Sequence, residues 1–418
     1  MKDIKELREK INQIDQEMAS LYENRMRVVS EIANFKMANN LAVFDKSREQ
    51  EVLKRNLNNI SSDELLPLYS RFIQEVMGES KSYQRYLMND IYDDVVIGKG
   101  LINDLAKYIN LDRKVLIISD SGIPKEYIKV VSKQCKECYV RNFPKGEANK
   151  NIDNFELLLF ALTDKQFTRN DLIIALGGGV TTDLAGFVAS SYMRGIEFVN
   201  IPTTLLAQVD ASIGGKVGVD FNNYKNIVGH FYKPSKVIID VDTLKTLDDR
   251  LFLEGISEII KMAITLDKDF YLYLESLDLE GLKKNIEYIV SKSVQLKSHI
   301  VALDEKETGL RRVLNFGHTV GHAIESLSKG KLLHGEAISI GMTYMVEEPL
   351  RTRLINLLKK FGLPTTSKYK ANELIGYIEM DKKKVDTDKI IIVTCPDIGK
   401  YELKEITLLE LCMMIERS

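Results

Sequence analysis

The first 88 residues contain one glycine, Gly78, and one proline, Pro67. Apolar residues recur there at Ile4, Leu7, Ile11, Ile14, Met18, Leu21, Val28, Ile32 and Phe35. A three–four alternation without breakers is the heptad seam of one long helix, and no other feature constrains the chain as tightly. Asp3 with Glu6 resembles a capping box at its start, and Asn39–Asn40 mark its end. Such a helix runs about 35 residues, roughly 50 Å. That outreaches a small monomeric body, so a partner subunit is expected to cover the seam. A second helix opens at "DKSREQEVLKRNL", capped by Asp45 or Ser47, and a third runs through "DELLPLYSRFIQEVMGESKSYQRYL" with Pro67 in its early turns. Residues 1–88 therefore read as an all-α three-helix unit, an intertwined dimer. Arg25 sits on the seam where an apolar residue belongs. Once buried it requires an anionic partner, unless it only sets helix register. Lys36 follows three turns on, Arg48 and Glu49 open the second helix, and Ser80 and Gln84 share a face of the third.

From about residue 92 the texture changes. "DDVVIG", "KVLIIS", "DLIIAL", "EFVNIP" and "KVIIDV" are short β-branched runs between helical stretches, which argues an α/β domain with a largely parallel sheet over 89–247. Beyond 248 helical periodicity dominates until "KIIIVT", so 248–418 reads as an all-α domain. Across 418 residues the net charge is −2, which excludes a global basic field for nucleic acid or an anionic membrane and leaves small-molecule substrates. No apolar run is long enough to span a bilayer, and the charged "MKDIKELREK" lacks a signal-peptide core, so a cytoplasmic protein is expected. Four cysteines are too few for a disulfide framework; Cys135 and Cys138, a lone C-x-x-C, read as reduced thiols near a strand.

"DLIIALGGGVTTDLAGFVA" reads strand, glycine turn, helix. Gly177, Gly178 and Gly179 let backbone approach a ligand, and the helix N-terminus offers N–H groups to phosphate. An earlier strand ends at Asp120, placed to accept ribose hydroxyls as in dinucleotide-binding folds. Three of the five histidines, His318, His322 and His334, fall within seventeen positions. His318 and His322, at i and i+4, suit one metal; His334 could join from the loop before the next helix and Glu258 supply a carboxylate. Lys216, Lys225, Asn226, Lys261, Arg311 and Asn315 lie nearby in sequence or beside glycines, as an anion pocket would need.

The stretch "GGGVTTDLAGFVASSYMRGIEFVNIPTTLLAQVDASIGGKVGVD", then "GISEIIK", then "GLRRVLNFGHTVGHAIE" and "LLHGEAISIGM", resembles 3-dehydroquinate synthase. The resemblance covers about residues 90 to 418. It implies a Rossmann-like NAD domain joined to a helical metal domain, with the active site in the cleft between them. By motif it makes Glu258, His318 and His334 the ligands of zinc, or of cobalt or another divalent metal, and turns His322 toward substrate. Asp210, Lys216, Lys261, Lys297 and His322 would be catalytic. Arg194, Lys225, Asn226, Arg311, Asn315 and, in "EMDKKK", Lys382 would bind substrate. Asp120, Glu147, Lys150, Gly178, Gly179, Asp183, Thr203 and Thr204 would meet NAD. The implied reaction converts 3-deoxy-arabino-heptulosonate 7-phosphate to 3-dehydroquinate and phosphate, with the nicotinamide taking and returning one hydride. The segment between His334 and Asp381 is shorter than the family usually has.

"LREKI", "ENRMRVVSEIANFK", "VFDKSRE" and "ESKSYQ" resemble the all-helical class of chorismate mutase over residues 1 to about 88. That resemblance implies that Arg8 (from the partner subunit), Arg25 and Arg48 meet the substrate carboxylates. Lys36 and Gln84 would meet the ether oxygen, and Asp45, Glu49 and Ser80 would complete the pocket. The expectation is one chain with two enzymes of aromatic amino-acid biosynthesis, assembled as a homodimer or higher homo-oligomer. The alternatives are an N-terminal module that senses chorismate or prephenate, and a C-terminal cyclase for a different heptulose phosphate. A polyol dehydrogenase fits less well, because it would leave the lysine-rich pocket without purpose.

Overall fold

The computed structural model describes residues 3–39, 41–88, 94–222, 224–382 and 389–417. The chain parts into two compact units, Met1–Asp93 and Asp94–Ser418.

The first unit consists of α1 (Ile4–Ala38), α2 (Lys46–Leu57) and α3 (Leu66–Met88). Asp3 caps α1 by accepting the Lys5 N–H, while Glu6 pairs with Lys10 at 2.9 Å. Asp45 caps α2 by accepting the Arg48 N–H at 3.0 Å. The third helix begins at Leu66 and not at Asp63, because Pro67 has no N–H and fits only a first helical turn. The heptad seam does not face the unit's own core. Ile4, Ile11 and Leu21 are 58%, 56% and 67% exposed, and the buried positions are Val29 and Ala33, each one residue past the seam. α1 packs on α3 through the face that carries Arg25, Val29 and Ala33, leaving the apolar stripe outward.

The second unit opens with β1 (Val95–Gly98), β2 (Lys114–Asp120), α4 (Lys125–Ser132), β3 (Glu137–Phe143), α5 (Ile152–Asp164), β4 (Leu172–Gly177), α6 (Gly179–Ser191), β5 (Glu197–Pro202), β6 (Lys216–Phe221), β7 (Tyr224–Phe231) and β8 (Lys236–Asp240). Six strands form one parallel sheet in the order β1-β8-β5-β4-β2-β3. The period-two alternation of β-strands builds two cores from the two faces of the same strands. Leu116, Ile118, Ile173 and Ala175 face a core shared with α5 and α6, and Val115, Ile117, Ile174 and Leu176 face one shared with α4. The strand order reverses between β2 and β4. Ligands of open α/β sheets bind at such a switch point, beyond the carboxyl ends of the strands, and here Asp120 and Gly177 occupy those ends. β6 and β7 form a separate antiparallel hairpin.

There follow α7 (Asp249–Leu266), α8 (Lys268–Ser276), α9 (Leu279–Lys284), α10 (Ile286–Leu303), α11 (His318–Ser328), α12 (His334–Tyr344), α13 (Leu350–Lys360), α14 (Ala371–Lys382), β9 (Lys389–Asp397), β10 (Lys400–Thr407) and α15 (Leu408–Glu416). This half is not purely helical: "KIIIVT" opens β9, which pairs antiparallel with β10. α7 is buried continuously from Gly255 to Thr265, so it is the central helix. α11 and α12 cross at near backbone contact, since a Cβ at Gly341 would lie 2.1 Å from the Gly317 carbonyl oxygen. No described helix is long and apolar enough to cross a membrane.

Candidate active sites

α7 presents Glu258 and, one turn later, Lys261 on one buried face. The crossing of α11 and α12 brings His318 and His334 to the same point. The Nε2 atoms of both histidines stand 3.7 Å from Glu258 Oε1. Donor atoms around a tetrahedral zinc, with bonds near 2.0–2.1 Å, lie about 3.3 Å apart, so the three side chains need close only slightly on a common ion. Both Glu258 carboxylate oxygens are fully buried without a hydrogen bond, although Lys261 lies in ion-pair contact. Such orphaned oxygens suit a metal. The outer ring nitrogens are already held: His318 Nδ1 lies 3.1 Å from the Phe316 carbonyl and His334 Nδ1 lies 3.1 Å from Glu325 Oε2, which aims both Nε2 atoms inward. His322 completes a trio whose ligand atoms lie within 4.8 Å of one another, and it is the exposed member.

The electrostatics agree with a cation site. Burial would raise Glu258, but Lys261 and the two histidines outweigh it and hold the carboxyl well below its usual range. Burial, then Lys261, drives His318 well below the ordinary histidine value; burial, then His334, brings His322 to about 4. His334 runs the other way: burial lowers it, but Glu258 and Glu325 prevail and raise it to about 10. Two carboxylates thus demand positive charge at one spot, a demand that a divalent ion would meet.

At the sheet's switch point Gly178 is the N-cap of α6, with no side chain capping the helix, so the first N–H groups are open. A Cβ at Gly178 would lie 3.0 Å from the Thr204 methyl carbon, and one at Gly179 would lie 3.2 Å from Ala211 Cβ. The Thr203 hydroxyl is buried with no partner. The Thr181 hydroxyl donates to Asp120 Oδ2 at 2.9 Å, tying the first turn of α6 to the end of β2. Lys150 Nζ lies 2.6 Å from Glu147 and 3.4 Å from Asp183. Burial carries Asp183 up to about 6, against the pull of Lys150. Open N–H groups, an orphaned hydroxyl and glycine-lined space suit a dinucleotide phosphate.

Between these two centres the cations are engaged. Lys297 Nζ on α10 lies 2.6 Å from Asp210 Oδ1 and donates to the Asp210 carbonyl. Arg311 is buried and donates to the Glu305 and Gly214 carbonyls. Lys216 pairs with Glu307, Asn315 Nδ2 donates to Glu307 at 2.6 Å, and Lys225 pairs with Glu325. Asn226, with φ 55°, donates its N–H to Asp220 at 2.8 Å. Arg194 is not brought in: it is exposed beyond the far end of α6, about 20 Å along that helix from Gly178. Lys382 closes α14, and its side chain lies outside the described residues. Glu307, Glu325 and Asp220 were not singled out from the sequence. Only Glu325, one turn past His322 in "GHAIE", carried a signal.

In the first unit Arg25 Nη1 donates to the Ser80 hydroxyl and, at 3.4 Å, to the Val76 carbonyl. The expected anionic partner is thus a hydroxyl and a carbonyl here. Gln84 donates to the Ser80 carbonyl, and its own amide oxygen is buried without a partner. Lys36 Nζ donates to the Val43 carbonyl at 2.7 Å, beside Asp45. Glu49 pairs with Lys81, and Arg48 turns outward to Glu51. Arg8 is exposed, seventeen residues before Arg25 on the same helix, or about 25 Å away. One copy of the helix cannot bring both to one ligand.

A parallel sheet with an open glycine turn, feeding a buried Glu–His–His cluster ringed by cations, defines the dehydroquinate synthase-like class. Solved structures of that shape include 2-deoxy-scyllo-inosose synthase complexed with carbaglucose-6-phosphate, NAD+ and Co2+. It is 25% identical with a TM-score of 0.71, covering 78% of this chain and 96% of that one. ValA, the 2-epi-5-epi-valiolone synthase of Streptomyces hygroscopicus subsp. jinggangensis 5008 with NAD+ and Zn2+ bound, is 26% identical with a TM-score of 0.69, covering 79% and 98%. The chain belongs to the 3-dehydroquinate synthase family. Models of that family's N-terminal and C-terminal parts match residues 140–254 and 255–384. The 3-dehydroquinate synthase of Streptococcus suis (strain 05ZYH33) is 39% identical over 344 residues, 77% of this chain and 96% of its own. That of Caldanaerobacter subterraneus subsp. tengcongensis is 40% identical over 324 residues, 73% and 91%. Ahead of it, residues 7–85 match chorismate mutase type II.

Proposed function

We propose that the chain is bifunctional. The first unit rearranges chorismate to prephenate; the second converts 3-deoxy-arabino-heptulosonate 7-phosphate to 3-dehydroquinate and phosphate. The observation that carries the second activity is the convergence of His318 and His334 on Glu258 at 3.7 Å, beside Lys261 and with Lys297 held nearby by Asp210. These three side chains would hold zinc or cobalt, and Asp120, Glu147, Lys150, Gly178, Gly179, Asp183, Thr203 and Thr204 would hold NAD. When bound, the metal polarises the alcohol to be oxidised and the nicotinamide takes and returns a hydride.

The chain's own residues bind and orient. Lys216, Lys225, Asn226, Arg311 and Asn315 supply donors for a carboxylate and a phosphate. Asp210 fixes Lys297 between two oxygens, so that one ammonium keeps a single position. Lys261 offsets the buried Glu258 charge. His322, the exposed member of the histidine trio, is free to pass a proton. Lys382 would complete the proposed substrate set, and Arg194, exposed beyond the far end of α6, does not join it within one chain. Orientation and fixed charge supply the catalysis.

In the first unit Arg25, Ser80, Gln84 and Lys36 line one site, with Asp45, Arg48 and Glu49 at its edge. The outward seam of α1 and the distance from Arg8 to Arg25 support a homodimer in which each copy lends Arg8 to the other. The rearrangement needs no nucleophile, only a held conformer and positive charge at the ether oxygen. We retain the domain limits 1–88, 89–247 and 248–418 and a cytoplasmic location. The test is an assay of both reactions on the full chain with and without a chelator. Loss of the synthase alone is expected. A synthase indifferent to exhaustive chelation overturns the metal assignment, and a chain that forms no prephenate overturns the mutase.

A further inference from the structure

Two of the donors assigned above to the substrate's anionic groups already bind one carboxylate supplied by the chain itself. Lys216 comes from β6 and Asn315 from the 3-10 turn Leu310–Asn315, nearly a hundred residues apart in sequence, and both meet Glu307. Lys216 contacts Oε2, and Asn315 Nδ2 donates to Oε1 at 2.6 Å, so the carboxylate bridges them as a bound anion would. Buried Arg311 is next to the pair electrostatically.

The loop that delivers Glu307 is built to do so. Asp304, at the end of α10, accepts the N–H groups of Thr308, Gly309 and Arg311 at 2.9, 2.7 and 2.9 Å and the Thr308 hydroxyl at 3.2 Å. That clamp fixes both flanks of a short bend. Within it Glu307 adopts φ 58°, a left-handed conformation that side-chain-bearing residues avoid unless their surroundings impose it. The Glu307 side chain is 19% exposed while that of Lys216 is 54% exposed, so the carboxylate lies inward and the ammonium at the mouth.

We propose that Glu307 is an internal stand-in for a substrate anion: it holds Lys216 and Asn315 in position in the free enzyme and is displaced when a carboxylate or phosphate of the substrate takes its place. This deepens the proposed function and rests on its assignment of Lys216 and Asn315 to the substrate pocket. Two like charges cannot share one ammonium at hydrogen-bond distance without mutual repulsion, so binding requires Glu307 to yield. A neutral analogue of the substrate cannot drive that exchange. Glu307 therefore acts as a specificity-determining residue, favouring dianionic over neutral ligands.

The experiment compares KM for the heptulosonate phosphate, and inhibition by inorganic phosphate, in wild-type holoenzyme, Glu307→Gln and Glu307→Asp. Gln keeps the shape and removes the competing charge; Asp keeps the charge and falls one methylene short of bridging both donors. KM is expected to fall about fivefold in Glu307→Gln, the scale of one partly exposed ion pair, and phosphate to inhibit more tightly. Glu307→Asp moves KM in the same direction by less, which keeps the question answerable if the Gln variant does not fold. An unchanged or raised KM in the folded variants overturns the proposal and makes Glu307 a positioning residue that stays on Lys216 through turnover. Lys216→Met, run in parallel, separates the two failures. If it leaves KM and kcat untouched, the pocket assignment itself falls; if it impairs both while Glu307→Gln does not lower KM, only the stand-in falls.

Discussion

Lys261→Met tests the metal cluster through stability. Glu258 is 0% exposed and Lys261 2%, and neither carboxylate oxygen of Glu258 has a hydrogen bond. Methionine preserves most of the apolar stem of Lys261 and removes only its charge, so packing is not the variable. Removing one partner of a buried pair costs about 3–5 kcal/mol, because a carboxylate is stranded away from water. Protonated His334 shares the load in the metal-free protein, which argues for the lower end, about 3 kcal/mol. For the second unit, residues 94–418, that is a fall in Tm of roughly 4 °C. With metal bound, a divalent charge stands where the ammonium stood, and the fall should shrink to less than half. Calorimetry of the full chain, with and without chelator, reads this directly, and the transition of the mutase unit serves as an internal control. An equal fall in both conditions would show that Glu258 does not hold the cation. No fall in chelated protein would show that the stranded charge was never stranded.

Other outcomes follow from the same geometry. Lys36→Ala should reduce prephenate formation by at least about a hundredfold while leaving the synthase intact, measured on the full chain; equal rates would favour a sensing module. Gly341→Ala places a Cβ 2.1 Å from the Gly317 carbonyl oxygen and must push α11 from α12, so a metal-binding titration should show affinity lost along with activity. Asp183 is raised by burial from 3.8 to about 6, so the folded protein holds an extra proton between those values. Stability therefore falls as pH rises from about 4 to 6 and this contribution is flat above, and Asp183→Asn should remove that slope in denaturant titrations.

The parallel sheet was legible because β2, β4, β5 and β8 are buried on both faces and so read as unbroken β-branched runs. β3, "ECYVRNF", and the hairpin β6–β7 were not, because an edge strand and an exposed hairpin need no apolar run to exist. The seam on α1 was legible as a period, but period alone does not say which side of a helix meets its own chain. The answer lay one residue over, at Val29 and Ala33, where small and β-branched side chains admit α3.

The same distinction governs the sites. Ligands and cations stood out because histidine is rare here and glycine runs are informative, while Glu307 stayed hidden in "DEKETG" as ordinary surface charge and Glu325 was marked only by its place one turn past His322. A cation in a pocket for anions has to be neutralised while it waits, and any nearby Asp or Glu on a suitable loop can do so. The identity of that partner is therefore weakly encoded and its presence strongly required. Glu325 carries the principle furthest, since it meets both Lys225 and His334 and so joins a candidate substrate cation to a candidate metal ligand through one carboxylate. An anion that draws Lys225 away leaves Glu325 to His334 alone, so substrate binding and metal affinity should be coupled, and by linkage each should strengthen the other to the same extent.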